Sequence, residues 1–591
     1  MVNYSRQTLA FLLHEVFEIE SLCKASYFQN YDAHSISSIL DSAAKIAEKY
    51  LSAAVFTASD RVAPAIENGK VSVHKGLHDF VKAYAEAGFL AATFDEKIGG
   101  MQMPKTLKAV TEFVHLSGHN SFLMFTDLVI GSAGLVAKYG TTEQQESILP
   151  KFFSGAWLST MCLTEPQAGS SLAEVACKAI PQANGSYLIE GQKIFISAGD
   201  HDISENILHF VLARVPGSPP GVKGISLFIV PKFKFSDTSQ ANDVQTLSLF
   251  HKMGQKATPA VHLGFGAHGN CEGYLLGKEN AGLLQMFDMM NTARLGVGLS
   301  GIAIASAAYH QSLQYAQERK QGKSLDPFQR EQLPVPIIQH ADVRRMLLTQ
   351  KVIYEGGLAL LLQNYFYLDM QRLEPENQKW AMLTDLLTPV SKTYGAEQGA
   401  VAVSQGLQVL GGYGYTTDFM LEQLYRDVRI MSIYEGTTGI QSLTLLGRQV
   451  AQSQGQAFLY FKEEIKEVLV QSKNHVALLP YVKILEDYLV DLEKVTNYLL
   501  SLPTATDMLA DASLYMEYFS HICVGWQWLK VAQKASEKIS HQQTDTAYYS
   551  SLIHSMQFYF SYELTKTAHL KELLLNPTKL THYQADNEVL F

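Results

Sequence analysis

The stretch Met431-Ser432-Ile433-Tyr434-Glu435-Gly436-Thr437-Thr438-Gly439-Ile440-Gln441 sets one carboxylate between apolar neighbours and a Gly-Thr turn. Ile433 and Tyr434 are expected to strip water from Glu435, and a desolvated carboxylate has its pKa raised toward neutrality, where it accepts a proton at ordinary pH. On that reading Glu435 is a general base. A second reading stays open from residue types alone: the Gly436-Thr437 turn caps the helix that carries Ile440, Leu443 and Leu446, with Glu435 beside its positive end. Three other stretches carry chemistry. Met161 to Ser170 offers the hydroxyls of Thr164 and Ser170 next to the small Ala168 and Gly169, a set suited to the polar edge of a flat heterocycle, or simply a strand leaving through a turn. Gly191 to Ala198 follows it, and Gln408 to Tyr415 contains Gly411, Gly412 and Gly414, which either admit a pyrophosphate or end a helix.

These stretches need elements to hold them. From Ile39 to about Phe153 apolar residues such as Leu77, Phe80, Val81 and Tyr84 recur at helical spacing, broken at Gly99-Gly100 and Pro104. Between Trp157 and about Gly277 the runs Tyr187 to Ile189, Ile207 to Ala213 and Ile225 to Val230 read as strands, with turns at Asn184-Gly185 and Pro216 to Gly221 and a polar loop over Lys232 to Thr246. Helical patterns return over Leu283–Lys320, Val335–Leu362, Trp380–Leu410 and Phe419–Arg429, which predicts a bundle, with a polar insertion at Gln321–Pro336. After Arg448 the stripe Tyr481, Ile484, Leu485, Tyr488, Leu492, Val495 and Leu499, then Leu514–Ile539 and Ala547–Leu575, predict further helices. The fold class is therefore multidomain α+β. The expected parts are an N-terminal extension (1–38), an N-terminal helical domain (39–156), a central β domain (157–280), a helical bundle carrying Glu435 (281–450) and an extra C-terminal helical domain (451–591).

The bulk numbers narrow the function classes. At 591 residues the chain has ample length for several cores, and 47% hydrophobic with only 18% charged residues points to surface buried between domains or subunits, hence an oligomer. A formal net charge of -10 without a basic stripe excludes an ordinary nucleic-acid binder. The five cysteines lack CxxC spacing, which predicts buried thiols in a reducing compartment, no metal site and a cytoplasmic setting. The run Thr8 to Leu13 is broken by His14 and Glu15, and no stretch of some 18 apolar residues follows, so neither a signal peptide nor a transmembrane segment is expected.

Gly264 to Gly269 and Gly296 to Gly301 both fit G-x-G-x-x-G, but no helix is expected to open after the first, and the second falls inside a helical pattern. A dinucleotide fingerprint is excluded on that context. The glycines of the second copy instead let another helix or a ligand approach closely.

In order and spacing, the four chemistry-bearing stretches resemble the acyl-CoA dehydrogenase family of flavoproteins across residues 70 to 450. Gly99-Gly100, Gly140-Thr141 through Trp157, Met253 to Gln255, Glu318 to Lys320 and Gln339-His340 add to the resemblance. The length and C-terminal helices are most similar to the bacterial subgroup that includes 3-(methylthio)propanoyl-CoA dehydrogenases.

The resemblance implies FAD as cofactor and α,β-dehydrogenation of an acyl-CoA to a trans-2-enoyl-CoA, as in fatty acid β-oxidation. Glu435 would remove the α-proton while the β-hydrogen leaves as hydride to the flavin. By the same resemblance Leu163, Thr164, Gly169, Ser170, Phe195 and Ser197 surround the isoalloxazine. Arg319, Gln408, Gly411, Gly412 and Thr437 meet the rest of FAD. Ser170, Tyr434, Gly436 and Arg294 lie near the substrate. An electron-transfer flavoprotein is the implied acceptor, and a homodimer the implied assembly. Ser171, Phe195, Gln321 and Gly439 depart from side chains common at these positions. Two alternatives remain: an acyl-CoA oxidase that uses oxygen, and a noncatalytic relative that keeps the fold for binding.

Overall fold

A computed structural model describes residues 3–67, 69–323, 334–541, 545–579 and 581. The chain divides into two compact units, one of Tyr31–Pro104 with Val114–Gly296, the other of Val2–Asn30, Lys105–Phe113 and Val297–Phe591.

The first unit begins with helices Ala33–Tyr50, Ala53–Arg61 and Lys75–Glu86. Asp32 starts the first of them in a reciprocal capping box with Ser35, whose backbone N–H lies 2.7 Å from the Asp32 carboxylate. Within this stretch, read as helical from sequence, β1 (Ala65–Glu67) and β2 (Lys70–Ser72) pair as a small antiparallel hairpin. Three-residue strands are too short to show a period of two, so the hairpin left no pattern to read.

Eight strands follow as one sheet: β3 (Trp157–Cys162), β4 (Lys178–Pro181), β5 (Tyr187–Ser197), β6 (Asn206–Arg214), β7 (Ile225–Pro231), β8 (Val244–Leu249), β9 (Ala260–Phe265) and β10 (Glu272–Leu275). The order is β10-β7-β6-β4-β5-β9-β8, and β10 also pairs with β5, so five strands close on themselves. β3 runs parallel to β6, from Trp157 opposite Asn206 to Cys162 opposite Val211. Every residue of β7 and all but the last of β6 are buried, which is why both read as unbroken apolar runs without alternation. Cys162, Cys177, Ile189, Val211, Phe228, Val261 and Cys271 share the core inside this closure. β8 begins within the stretch read as a polar loop, because its residues are only half-buried and carry Gln245, Thr246 and Ser248.

In the second unit the long helices are Gly282–Glu318 (its first turns belong to the first unit), Ala341–Leu373 and Gln378–Leu410, followed by Leu421–Val428. Gly298 and Gly301 of the first meet Gly395 and Gly399 of the third almost backbone to backbone. A Cβ at Gly298 would lie 2.6 Å from the Ser391 carbonyl, and one at Gly301 2.1 Å from that of Gly395. Two of the three glycines of the second G-x-G-x-x-G copy, Gly298 and Gly301, thus serve helix packing, whereas a Cβ on Gly296 would meet nothing within 4 Å.

Of the Gln321–Pro336 insertion, residues 324–333 lie outside the described residues; its neck is closed by Gln321 N–H to Val335 C=O at 3.0 Å and Val335 N–H to Gly322 C=O at 3.1 Å. The C-terminal helices are Gln456–Ser472, Leu479–Leu500, Ala512–Ser540, Thr546–Phe558 and Ala568–Leu575. Trp528 Nε1 donates to the Val352 carbonyl at 3.0 Å, and a Cβ at Gly356 would meet that indole at 2.4 Å. The first residues join this unit too: Phe11 packs on Tyr548 and Tyr549, and Glu15 and Glu18 pair with Lys538 and Lys534.

One helix among the described residues, Lys105–Tyr139, is long and apolar enough to cross a membrane by length and composition. Of its most apolar window, 61% is buried inside the protein, as in a core helix.

Candidate active site

In the first unit, the loop that leaves β3 is fastened to β5 by a buried ion pair. Lys193, with no exposed surface, donates from Nζ to Glu165 Oε1 at 2.8 Å and to the Leu163 carbonyl at 3.0 Å. Glu165 also accepts from Gln167 Nε2, Ala176 N–H and Cys177 N–H at 2.6, 2.8 and 3.1 Å. Burial works against its charge, but Lys193 and the two backbone N–H groups outweigh it and hold the carboxyl below the ordinary glutamate range. Ile194 N–H leaves its ladder to donate to the Thr164 carbonyl at 2.9 Å, and Glu165 and Ala168 close a tight turn through reciprocal backbone bonds. Thr164 is thereby left half-buried, Leu163 buried, and Gly169 and Ser170 exposed.

The same departure makes a bulge in β5. Lys193 pairs with Leu263 and Ile196 with Val261, so β5 has one residue more than β9 across that interval. Phe195 sits in it at φ +57°, 60% exposed, its ring against Phe250 at 4.4 Å between centroids. Ser197, half-buried, ends the strand opposite Ala260. Thr164, Ser170, Phe195 and Ser197 are thus held by one connected piece of backbone. Neither Glu165 nor Lys193 was assigned a role from sequence, although a lysine just ahead of the apolar strand run Ile194-Phe195-Ile196 was a signal of a buried partner. Arg294, also in this unit, is buried and donates to Asn291 Oδ1 at 3.0 Å.

In the second unit Glu435 lies at φ +55° and Gly436 at φ +90°, so the chain makes a left-handed turn just before helix Thr438–Leu443. Such a φ is strained for a glutamate, and it persists only where the surroundings fix it. Gln441 Nε2 donates to the Glu435 carbonyl, and Lys392 Nζ to the Gly436 carbonyl, both at 2.9 Å; both side chains are fully buried. Thr437 is the N-cap, its Oγ1 accepting from Ile440 N–H at 3.3 Å, while Thr438 Oγ1 donates to Glu397. The capping reading thus belongs to Thr437, and Glu435 stands outside the helix. Glu435 is half-buried with its Oε2 shielded from solvent. Ile433, one of the two residues expected to shield it, is itself 49% exposed, and Tyr434 hydrogen-bonds to Met431 Sδ at 3.0 Å. Gln441 and Lys392 went unassigned in the sequence, where Lys392 inside a buried helical run was the available clue.

Gly411, at φ +59°, ends helix Gln378–Leu410 by donating from its N–H to the Gln408 carbonyl. Gln408, Gly411 and Gly412 are exposed, and a Cβ on either glycine would meet nothing within 4 Å, whereas one on Gly414 would meet the Leu407 carbonyl at 2.3 Å. Helix ending and open approach coexist here. Arg319 is exposed at the end of its helix, with its carbonyl accepting from Ile337 N–H at 2.8 Å.

Family models match the chain in the same order as these elements. Residues 45–156 match the acyl-CoA dehydrogenase N-terminal domain, 160–267 its middle domain, 280–450 its C-terminal domain, and 461–581 a domain described as acetyl-CoA dehydrogenase C-terminal like. The chain belongs to the acyl-CoA dehydrogenase family of enzymes. Among curated relatives it is 40% identical to 3-methylmercaptopropionyl-CoA dehydrogenase of Ruegeria pomeroyi, over 69% of this chain and 70% of that one. It is 34% identical to broad-specificity linear acyl-CoA dehydrogenase FadE5 of Mycobacterium tuberculosis over 87% of each. Among solved structures, an acyl-CoA dehydrogenase of Bacillus anthracis complexed with FAD shares the fold at TM-score 0.74 and 18% identity, covering 96% of this chain and 95% of that one.

Proposed function

We propose that this enzyme dehydrogenates an acyl-CoA thioester to its trans-2-enoyl-CoA, with Glu435 as the base and FAD as cofactor. The observation that carries the reading is the strained Glu435 turn, pinned through its own carbonyl by the buried Gln441 and through the next by the buried Lys392. A non-glycine residue kept at φ +55° costs on the order of 1 to 3 kcal/mol, which points to a side chain aimed for a purpose.

The residues fit FAD in their chemistry. Phe195 offers an exposed aromatic plane; Thr164, Ser170 and Ser197 offer hydroxyls on a fixed loop and strand; Gly169, Gly411 and Gly412 leave open space where a Cβ would stand. Leu163 adds an apolar floor, and Arg319 and Gln408 are exposed groups suited to phosphate oxygens. Thr437 Oγ1 accepts from Ile440 and keeps its own proton to donate. When bound, FAD supplies the acceptor for the hydride leaving the β-carbon.

Glu435 takes the α-proton as its carboxylate becomes a carboxylic acid. An α-proton beside a thioester is only weakly acidic, so charge developing on the thioester oxygen needs donors fixed in advance, and Glu435 N–H is assigned that place. Gln441 acts as a positioning residue by fixing the peptide on the other side of Glu435. Tyr434 and Gly436 flank the reacting carbons, and Ser170 and Arg294 are assigned to the CoA ester.

The same reading places the enzyme in fatty acid β-oxidation in the cytoplasm, as a homodimer that passes electrons to an electron-transfer flavoprotein. Tyr413 at 50% and Tyr415 at 95% exposure beside Gly411 and Gly412 support a second subunit that covers them. All five cysteines are buried and unbridged, which supports a reducing setting.

The test is anaerobic titration of purified protein with a panel of acyl-CoAs, wild type against Glu435→Gln. Loss of flavin absorbance in wild type alone is the expected result. Bound FAD that no acyl-CoA bleaches would sink the reading, and peroxide formation in air would make the enzyme an oxidase.

A further inference from the structure

Helix Gln378–Leu410 runs past the Glu435 turn and takes hold of it twice. Lys392 Nζ donates to the Gly436 carbonyl at 2.9 Å, and Glu397 accepts from Thr438 Oγ1. From Lys392 to Glu397 the helix advances about 7.5 Å along its axis. Gly436 and Thr438 are separated by Thr437, extended at φ -57° and ψ 162°, so the chain between them covers about 7 Å. The two contacts are in step along the helix.

Between Lys392 and Glu397 lies Gly395, where the same helix is most closely fixed. A Cβ on Gly395 would stand 2.2 Å from the Gly298 carbonyl, and one on Gly301 2.1 Å from the Gly395 carbonyl. Backbone meets backbone there, with no side-chain rotamer to give way. Local structure does not call for either arm. Thr437 already caps helix Thr438–Leu443, so the cap has no need of the Thr438 hydroxyl. A second acceptor for that hydroxyl, the Ser432 carbonyl, is farther off at 3.5 Å. Lys392 has no exposed surface, and its ammonium gives up hydration that a packing role alone would not require.

We propose that Lys392 and Glu397 are positioning residues for the reaction, which carry the fixed register of the glycine contact to the turn that bears the base. Glu435 stands at φ +55°, where a glutamate left to itself does not stay. The two arms, with Gln441, hold that turn at the Glu435 carbonyl, the Gly436 carbonyl and the Thr438 hydroxyl. Glu397 acts on the base only through Thr438. Neither arm is assigned to substrate or cofactor, so loss of one slows proton transfer and leaves acyl-CoA binding as it was. The inference rests on the dehydrogenase reading above and adds to it the residues that aim the base.

The experiment is anaerobic stopped-flow reduction of the holoenzyme flavin by the acyl-CoA that bleaches wild type best, comparing Thr438→Val, Thr438→Ser and Lys392→Met. Valine keeps the shape of threonine without the hydroxyl, and serine keeps the hydroxyl. The limiting rate of flavin reduction is expected to fall about tenfold in Thr438→Val and in Lys392→Met, at an unchanged half-saturating acyl-CoA concentration, and to return in Thr438→Ser. Lys392→Gln, with the same expected fall, replaces methionine if that variant does not fold. A wild-type rate in Thr438→Val or at position 392 overturns the proposal, as does an equal fall in the valine and serine variants. A change confined to half-saturation also overturns it, because the contacts would then serve binding. All of these leave dehydrogenation standing; if no acyl-CoA reduces the wild-type flavin, the dehydrogenase reading falls and this inference with it.

Discussion

Replacing Lys193 by methionine leaves the Glu165 carboxylate buried with its cation gone. Glu165 is 3% exposed and Lys193 fully buried, so water cannot take over the lost contact at 2.8 Å. Breaking a buried pair from one side costs about 3 to 5 kcal/mol, since the remaining charge is uncompensated. Gln167 and the Ala176 and Cys177 N–H groups still donate to that carboxylate, which puts the expected loss near the lower end, about 3 kcal/mol. The sign of the pH dependence follows. In wild type the carboxyl is held below its unfolded value, so its contribution is present above the ordinary glutamate pKa and lost in acid. In Lys193→Met the carboxyl instead rises and escapes by protonation, so the deficit is largest near pH 8 and shrinks toward pH 5. Urea unfolding of both proteins across that range measures it, with flavin fluorescence reporting FAD release. The released loop should let FAD go at lower urea, and Glu165→Gln combined with Lys193→Met should recover part of the loss. A deficit under about 1 kcal/mol that does not vary with pH would refute the reasoning.

Other outcomes follow from the same geometry. Gln441→Leu removes the donor that fixes the Glu435 carbonyl and should lower kcat by about ten- to a hundredfold with FAD retained; an unchanged kcat in stopped-flow flavin reduction removes Gln441 from the mechanism. Gly395→Ala would place a Cβ 2.2 Å from the Gly298 carbonyl and should cost about 3 kcal/mol or prevent folding, read as Tm or soluble yield; a wild-type Tm would contradict the helix contact. His209 and His119 are held to a pKa of about 3, and His521 to about 4, all chiefly by burial. Their folded pKa values are depressed, so each favours the fold above pH 6.5 and loses about 1.4 kcal/mol per unit as pH falls toward those values. His209→Gln should flatten the fall of unfolding free energy between pH 6.5 and 5 by about that slope, measured by urea titration, and an unaltered slope counts against a neutral His209.

The long helices were legible because each exceeds thirty residues, most of them buried or half-buried, with few breakers, and β6 and β7 because strands buried on both sides keep apolar runs. The context read for the G-x-G-x-x-G copies holds: the first runs from β9 toward β10 with no helix after it, and the second lies inside helix Gly282–Glu318. The hairpin β1–β2 was invisible at three residues a strand, and apolar type alone did not show that Ile433 is 49% exposed. Lys193 and Lys392 show the harder limit. Each is a cation whose partner is set by folding, a carboxylate 28 residues away in one case and a carbonyl 44 residues away in the other. The left-handed φ of Glu435 is likewise not announced by its residue type, since the side chains that hold the turn, Gln441 on its own carbonyl and Lys392 on the next, meet it only in the fold.

The contact of Phe11 with Tyr548 and Tyr549, and of Glu15 and Glu18 with Lys538 and Lys534, also orders events in time. A ribosome makes the first of these partners more than five hundred residues before the second, so residues 11–18 wait through that length of synthesis before these contacts can form. The β sheet and its surrounding helices, complete by Gly296, have no such wait. One half of the molecule is therefore free to fold while the other is still being made.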